Sequence, residues 1–369
     1  MTDDRLDLAV IGAGPCGLSA AVAAEQAGLS SAVFDKGCIT QSIMLYPTYA
    51  TFFSTADRLE IGGVPFIAPG DKPTRGDALK YYRRVATAFD LDVRQYEEVT
   101  AVTGEKDAFT VRTRTMGGEE RTLVAGNVVV ATGYADSPNY MDIPGEDLPK
   151  VRHYFTEGHP YFQQDVVVIG AGNSAVEAAL ATWRAGARVT LVHFLDALDP
   201  GVKPWIRPDI ENRIANGEIA VRWNTRVTEV LPDGVRLRDG ETGATEELAN
   251  DFVLAMTGYR PDPWLLGDLG VTIDTETGVP AHDPETMETG VPGVFIAGVI
   301  AGGDRPDRVF IEDGRHHGPL AVRRILAERG VDAGDTITLG VPPSVRSTDP
   351  EADGIGGTSP APEGVGRGK

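Results

Sequence analysis

Leu6-Asp-Leu-Ala-Val-Ile11, then Gly12-Ala-Gly14-Pro-Cys-Gly17, then the alanine-rich run over residues 18–27 decide how this chain folds. The plan recurs at Asp165-Val-Val-Val-Ile169, Gly170-Ala-Gly172-Asn-Ser-Ala175 and the run over 176–185. Each copy reads as a buried apolar strand, a glycine turn and a helix. A second strand follows each helix, over 31–35 and 188–193. Gly28 and Gly186 stand where a C-terminal glycine ends a helix. Pro15 falls at a first helical position, where a missing N–H costs nothing. The fold class is therefore α/β, with a βαβ unit used twice.

A lone G-x-G-x-x-G carries little weight, but here each copy has the strand before it and the helix after it. The first glycine permits the tight turn, and the second lets the backbone approach a pyrophosphate. The third position, Gly17 or Ala175, keeps the helix against the strand. The helix N-terminus then offers unpaired N–H groups and partial positive charge to phosphates. The second strands discriminate between the sites. Counting 23 residues from Gly12 reaches Asp35, an acid placed to accept from ribose hydroxyls. The same count from Gly170 reaches His193, where no carboxylate repels a 2′-phosphate. Two dinucleotide sites follow, the first for an adenosine with free ribose hydroxyls and the second tolerant of NADPH.

At 369 residues the chain has room for two or three domains of about 150 residues. Further strands are expected over 99–102, 108–114, 127–131, 221–227, 235–238, 252–256 and 293–297, several of them antiparallel. Helices are expected over 76–89 and 318–329. From about Pro342 the chain is rich in Pro, Gly, Ser and Asp and reads as disordered. A formal charge of −20 disfavours nucleic-acid backbones and anionic lipid surfaces. No apolar run is long enough for a membrane span or signal peptide, so the cytoplasm is the default location. Two cysteines, Cys16 and Cys38, exclude a disulfide scaffold and a four-cysteine zinc site, and no metal is expected. Three more glycine signatures follow apolar strands: Val130-Ala-Thr-Gly133, Ala255-Met-Thr-Gly258 and Val294-Phe-Ile-Ala-Gly298.

The ordered set of the two glycine loops with Ala131-Thr-Gly133, Met256-Thr-Gly258 and Ile296-Ala-Gly298 resembles the thioredoxin-reductase-like flavoproteins. More narrowly, residues 5–330 resemble the bacillithiol disulfide reductase family of the YpdA type. Gly14-Pro-Cys-Gly17, Thr51-Phe-Phe-Ser54, Lys203-Pro-Trp205, Phe310-Ile-Glu312 and His317-Gly318 carry that likeness. The resemblance implies an NADPH domain over 141–260 inserted into a discontinuous FAD domain, 1–140 and 261–335, with an acidic disordered tail over 336–369. It implies that NADPH reduces FAD and FAD reduces a low-molecular-weight disulfide, bacillithiol disulfide or a relative of it. It also implies a homodimer. The FAD candidates are Gly12, Gly14, Pro15, Cys16, Gly17, Asp35, Lys36, Gln41, Thr132, Gly133, Gly298 and Glu312. The NADPH candidates are Gly170, Gly172, Asn173, Ser174 and His193. A thioredoxin reductase carries Cys-x-x-Cys just before the second glycine loop; the stretch over 151–160 has no cysteine, which excludes a dithiol relay. Two departures stand out. Phe194 occupies a place where the family has arginine, and Gly298 is followed by Val299 rather than Asp.

Cys16 is the candidate redox thiol. A helix N-terminus lowers its pKa and a neighbouring diphosphate raises it; the bland reading is a small helix residue. His317 is the candidate proton donor. Glu312 orients the flavin or opens the last helix. Lys203 and Arg207 offer positive charge to a 2′-phosphate or an acidic thiol, with a surface ion pair as the alternative. Competing functions are a ferredoxin- or flavodoxin-NADP reductase, a flavin monooxygenase, and a non-catalytic redox or nucleotide sensor.

Overall fold

A computed structural model describes residues 5–305, 308–334 and 337. The expected tail over 336–369 lies, residue 337 apart, outside the described residues. One sheet holds β1 (Arg5–Ile11), β2 (Ser31–Asp35), β3 (Val93–Gln95), β4 (Glu97–Thr103), β5 (Phe109–Thr115), β6 (Glu120–Val130) and, near the chain's other end, β15 (Val294–Ile296). Its order is β3-β2-β1-β6-β5-β4, with β15 on β6. A second sheet has the order β10-β9-β8-β14-β7, from β7 (Val151–Arg152), β8 (Asp165–Ile169), β9 (Arg188–Val192), β10 (Ala220–Arg222) and β14 (Phe252–Ala255). All its pairings are parallel. A third, antiparallel sheet joins β11 (Thr225–Leu231), β12 (Gly234–Asp239) and β13 (Thr245–Ala249). The helices are α1 (Pro15–Gln26), α2 (Gln41–Met44), α3 (Arg75–Ala88), α4 (Asn173–Arg184), α5 (Arg207–Ala215), α6 (Trp264–Asp268), α7 (Ile311–Gly314) and α8 (His317–Glu328). No described helix is long and apolar enough to cross a membrane.

The first sheet is mixed, antiparallel at β4-β5-β6 and parallel elsewhere, and hydrophobic burial explains the parallel part of it and the parallel second sheet. Leu8 and Val10 of β1 face one core with Val129 and Phe295, while Ala9 and Ile11 face the other with Val128 and Val130. A strand buried on both sides must be apolar throughout, which is why it reads as an unbroken run. Each such Leu, Val or Phe contributes about 1.5–3 kcal/mol. Helix α3 is amphipathic instead, burying Ala78, Tyr81, Tyr82 and Val85, and opens with a Thr74–Asp77 capping box.

Two expectations change in detail. The single strand over 221–227 is broken at Asn224, which sits at φ +51°. Asparagine tolerates that left-handed conformation, and the break sends β10 into the parallel sheet and β11 into the antiparallel one. Strand β13 shows no apolar alternation because it pairs only with β12 and is exposed along most of its length. Between the first and second sheets the chain passes twice, near Gly133 and Gly258, both at positive φ. Asn139 staples the passages: its N–H donates to Gly258 O at 3.0 Å, and the Thr257 hydroxyl donates to its carbonyl at 2.6 Å.

Candidate functional site

The two glycine loops share one construction. Gly12 and Gly170 lie at φ +112° and +117°, and a Cβ on either would sit 2.2 Å from Ala131 O or 2.4 Å from Met256 O. Only glycine combines that φ with so close a carbonyl. Gly14 and Gly172 have no protein atom near the position a Cβ would take, so both keep one flank open. A Cβ on Gly17 would fall 1.9 Å from Gly12 O, so helix α1 leans on its own turn more closely than α4 does.

Both loops open onto one cleft of about 780 Å³. Gly12, Gly14, Pro15, Cys16, Asp35, Gln41, Thr132, Gly133, Gly298 and Glu312 line it on one side, Asn173 and Ser174 on the other. The cradle fits a dinucleotide at the first loop: the flank at Gly14 is open, and Thr132 Oγ1 is buried with no partner. Asp35 accepts from Ala13 N at 2.7 Å and Gly37 N at 2.8 Å. Burial raises its pKa in spite of those bonds. Lys36 is engaged with Asp136 at 2.7 Å. Gln41 accepts from the Cys38 thiol at 3.0 Å, and both cysteines are free.

Cys16 and Ala20, one helical turn apart on α1, face Gly314 and Gly318. A Cβ on Gly314 would come 2.7 Å from Cys16 Sγ, one on Gly298 2.9 Å from it, and one on Gly318 2.4 Å from Ala20 Cα. The three glycines let the C-terminal segment settle on α1 with the thiol beneath it. Burial, then the charges of Glu312 and Asp313, push the Cys16 thiol up to about 12. The helix N-terminus therefore does not make it a thiolate at neutral pH. His317 lies nearby as a neutral imidazole, its pKa brought down to about 4 by burial and by His282 and His316. Its Nδ1 accepts from Gly298 N at 3.2 Å, which ties it to the turn above Cys16. Glu312 accepts from the Ser54 hydroxyl, so two motifs 258 residues apart meet.

At the second loop the Asn173 side chain is used within the protein. Its amide donates to Gly201 O at 3.0 Å, and its carbonyl accepts from Lys203 N at 2.9 Å. Gly172 has the open flank, and His193 Nδ1 is a buried orphan. These features fit a second dinucleotide. Lys203 Nζ sits 3.8 Å above the Phe53 ring and donates to Glu177 at 2.5 Å. Trp205 meets Phe53 edge-on with centroids 5.8 Å apart. The Thr51–Ser54 and Lys203–Trp205 motifs thus clasp across the cleft. Sequence reasoning missed Glu177 and Arg184, which line the cleft with Ser174 and Ala181. Their spacing, 174, 177, 181 and 184, is the signal that marks one helical face.

A parallel pair of Rossmann-type units, each with a glycine loop on a shared cleft, defines a two-nucleotide oxidoreductase. The family model for pyridine nucleotide-disulphide oxidoreductases matches residues 9–298. The chain belongs to that family, and it is a thioredoxin-reductase-like flavoprotein oxidoreductase whose cofactors are FAD and NADPH. It is 48% identical over 310 residues to bacilliredoxin reductase Bdr of Bacillus subtilis (strain 168), covering 84% of this chain and 94% of that one. Its structure is similar to the bacillithiol disulfide reductase Bdr (YpdA) from Bacillus cereus, with TM-score 0.84, 44% identity, and coverage of 88% of this chain and 99% of that one. The Staphylococcus aureus counterpart gives TM-score 0.81 at 39% identity, with coverage of 88% and 99%.

Proposed function

We propose that this flavoprotein disulfide reductase uses NADPH to reduce bacillithiol disulfide. The observation that carries the reading is the shared cleft, which is lined by the first glycine loop with Cys16 and by Asn173 and Ser174 at the end of the second, while Gly170, Gly172 and His193 lie outside its lining. The first loop, with Asp35 and Thr132, holds FAD; the second, with Gly172, Ser174 and His193, holds NADPH. When bound, NADPH would supply a hydride and FAD would hold the electron pair. NADPH, one proton and one disulfide give NADP⁺ and two thiols. Cys16 performs the exchange: its Sγ bonds to one substrate sulfur, the S–S bond breaks, and one thiol leaves. The two electrons of the overall balance then restore Cys16 and free the second thiol. Because the resting thiol is protonated, its proton passes to the sulfur that leaves, so the first product departs as a neutral thiol. His317 is a positioning residue that holds the Gly298 turn over the sulfur.

A second reading has support from the name of the Bacillus subtilis relative, a bacilliredoxin reductase. Phe53 and Trp205 on the cleft wall, 51% and 65% exposed, offer a protein partner an apolar contact. Anaerobic NADPH oxidation with bacillithiol disulfide, and separately with an oxidised bacilliredoxin, tests both. Turnover with the small disulfide alone, lost in flavin-replete Cys16→Ala, is the expected result. Turnover that survives in Cys16→Ala discards the thiol step, and turnover only with the protein disulfide replaces the substrate.

A further inference from the structure

The end of β9 holds an arrangement that the glycine loop itself does not explain. His193 is 8% exposed, yet its Nδ1 has no hydrogen-bond partner among the described residues. A buried ring nitrogen in that condition costs free energy unless a ligand or a water completes it. The neighbouring Phe194 ring lies 4.6 Å from the imidazole, and the Arg226 guanidinium lies 4.5 Å above the Phe194 centroid. The backbone holds the pieces in register: Thr225 N donates to His193 O, and Asn224 N to Leu195 O, both at 2.9 Å. The break at Asn224 thus delivers Arg226 to the strand end.

Three other cations near this loop are engaged, while Arg238, directly across the β11–β12 ladder from Arg226, is exposed and makes no ion pair among the described residues. Lys203 is paired with Glu177 at 2.5 Å, Arg222 with Glu246 at 2.9 Å, and Arg207 donates to Asp199 O at 2.6 Å. The Arg226 side chain makes no ion pair or hydrogen bond among the described residues. A guanidinium lying over a ring without an ion-pair partner leaves its N–H groups for a ligand, and those groups match a phosphate in a planar fork. Position 193 itself carries no carboxylate to select a free 2′-hydroxyl, although Asp199 lies near enough to act on the His193 ring, whereas a nearby arginine accommodates a 2′-phosphate.

We propose that Arg226, held on Phe194 beside His193, reads the 2′-phosphate of NADPH and sets the preference for NADPH over NADH. Position 194 carries no cation of its own, and β11 supplies one. This rests on the NADPH reading above, and the test separates the two. In the FAD-loaded full chain, calorimetry compares 2′,5′-ADP, which carries the 2′-phosphate, with 5′-AMP, which lacks it. The wild type binds 2′,5′-ADP about tenfold or more tightly than 5′-AMP. In Arg226→Ala that ratio falls toward one with 5′-AMP affinity unchanged, and Arg226→Lys, keeping charge but not the fork, retains part of it. A ratio preserved in Arg226→Ala overturns the assignment and leaves NADPH as the reductant. Equal loss for both ligands overturns it too, making Arg226 a prop for the loop. A wild type that does not distinguish the ligands removes the NADPH preference and the proposal together.

Discussion

Gly12 and Gly170 share a φ near +115°, and Gly14 and Gly172 share an open flank, yet the loops differ three residues further on. Gly17 presses against its own turn where Ala175 carries a Cβ. Cys16 lines the cleft half-buried under Gly298 and Gly314, while its counterpart Ser174 is exposed in it. Asp35 ends one second strand, and His193 follows the other. The first loop is roofed by a segment nearly 300 residues away in sequence, which suits a group that stays bound. The second leaves Ser174 exposed at the equivalent place, which suits a nucleotide that arrives and leaves. One supersecondary unit thus serves a resident and an exchanging cofactor, and the covering segment sets the difference.

The largest effect expected from breaking this comparison is at Gly17. A Cβ 1.9 Å from a backbone oxygen cannot be relieved by a rotamer, so α1 must shift. Gly17→Ala should lose about 3 kcal/mol by chemical denaturation, and desalting should remove its flavin colour. Unchanged stability and colour would show that the close packing is unimportant. The roof gives an intermediate effect. Glu312 raises the Cys16 pKa and accepts from Ser54. Glu312→Gln removes the charge and keeps an acceptor, so it should lower that pKa and speed iodoacetamide labelling of Cys16 several-fold at pH 8. In the wild type the labelling rate should climb through pH 7–10 without levelling, because only the thiolate reacts and the pKa lies near 12. A plateau near pH 8 would mean that the thiol is not held protonated. The smallest effect belongs to the second loop. Ala175→Gly should cost about 0.5–1 kcal/mol of helix stability and leave the flavin in place.

The local parts of this account were legible in the sequence. Strand, glycine turn and helix are consecutive, so Gly12 to Gly17 and Gly170 to Ala175 announce themselves, as do Pro15 and Gly28. What was not legible is what distant segments do to them. Nothing near Cys16 reveals that Gly298 and Gly314 close over it, so the balance between helix N-terminus and burial could not be struck. Nor could sequence show that Asn173, offered as a cofactor ligand, spends its side chain on the loop at 201–203. The break at Asn224 was hidden because its flanking residues are apolar enough for one strand, while left-handed backbone leaves no pattern. Arg226 had no signal at all, since its meaning comes only from lying on Phe194.

The central claim is the division of labour between the loops, and a pair of matched substitutions addresses it. Gly14 and Gly172 sit at ordinary negative φ, and no protein atom occupies the space beside them, so valine is accommodated by the fold and intrudes only on a bound nucleotide. The measurement is the visible flavin spectrum of Gly14→Val and Gly172→Val, before and after anaerobic NADPH and then dithionite. The account predicts a folded but colourless Gly14→Val, and a yellow Gly172→Val that dithionite bleaches and NADPH does not. A yellow Gly14→Val, or a Gly172→Val bleached by NADPH as fast as the wild type, would contradict it.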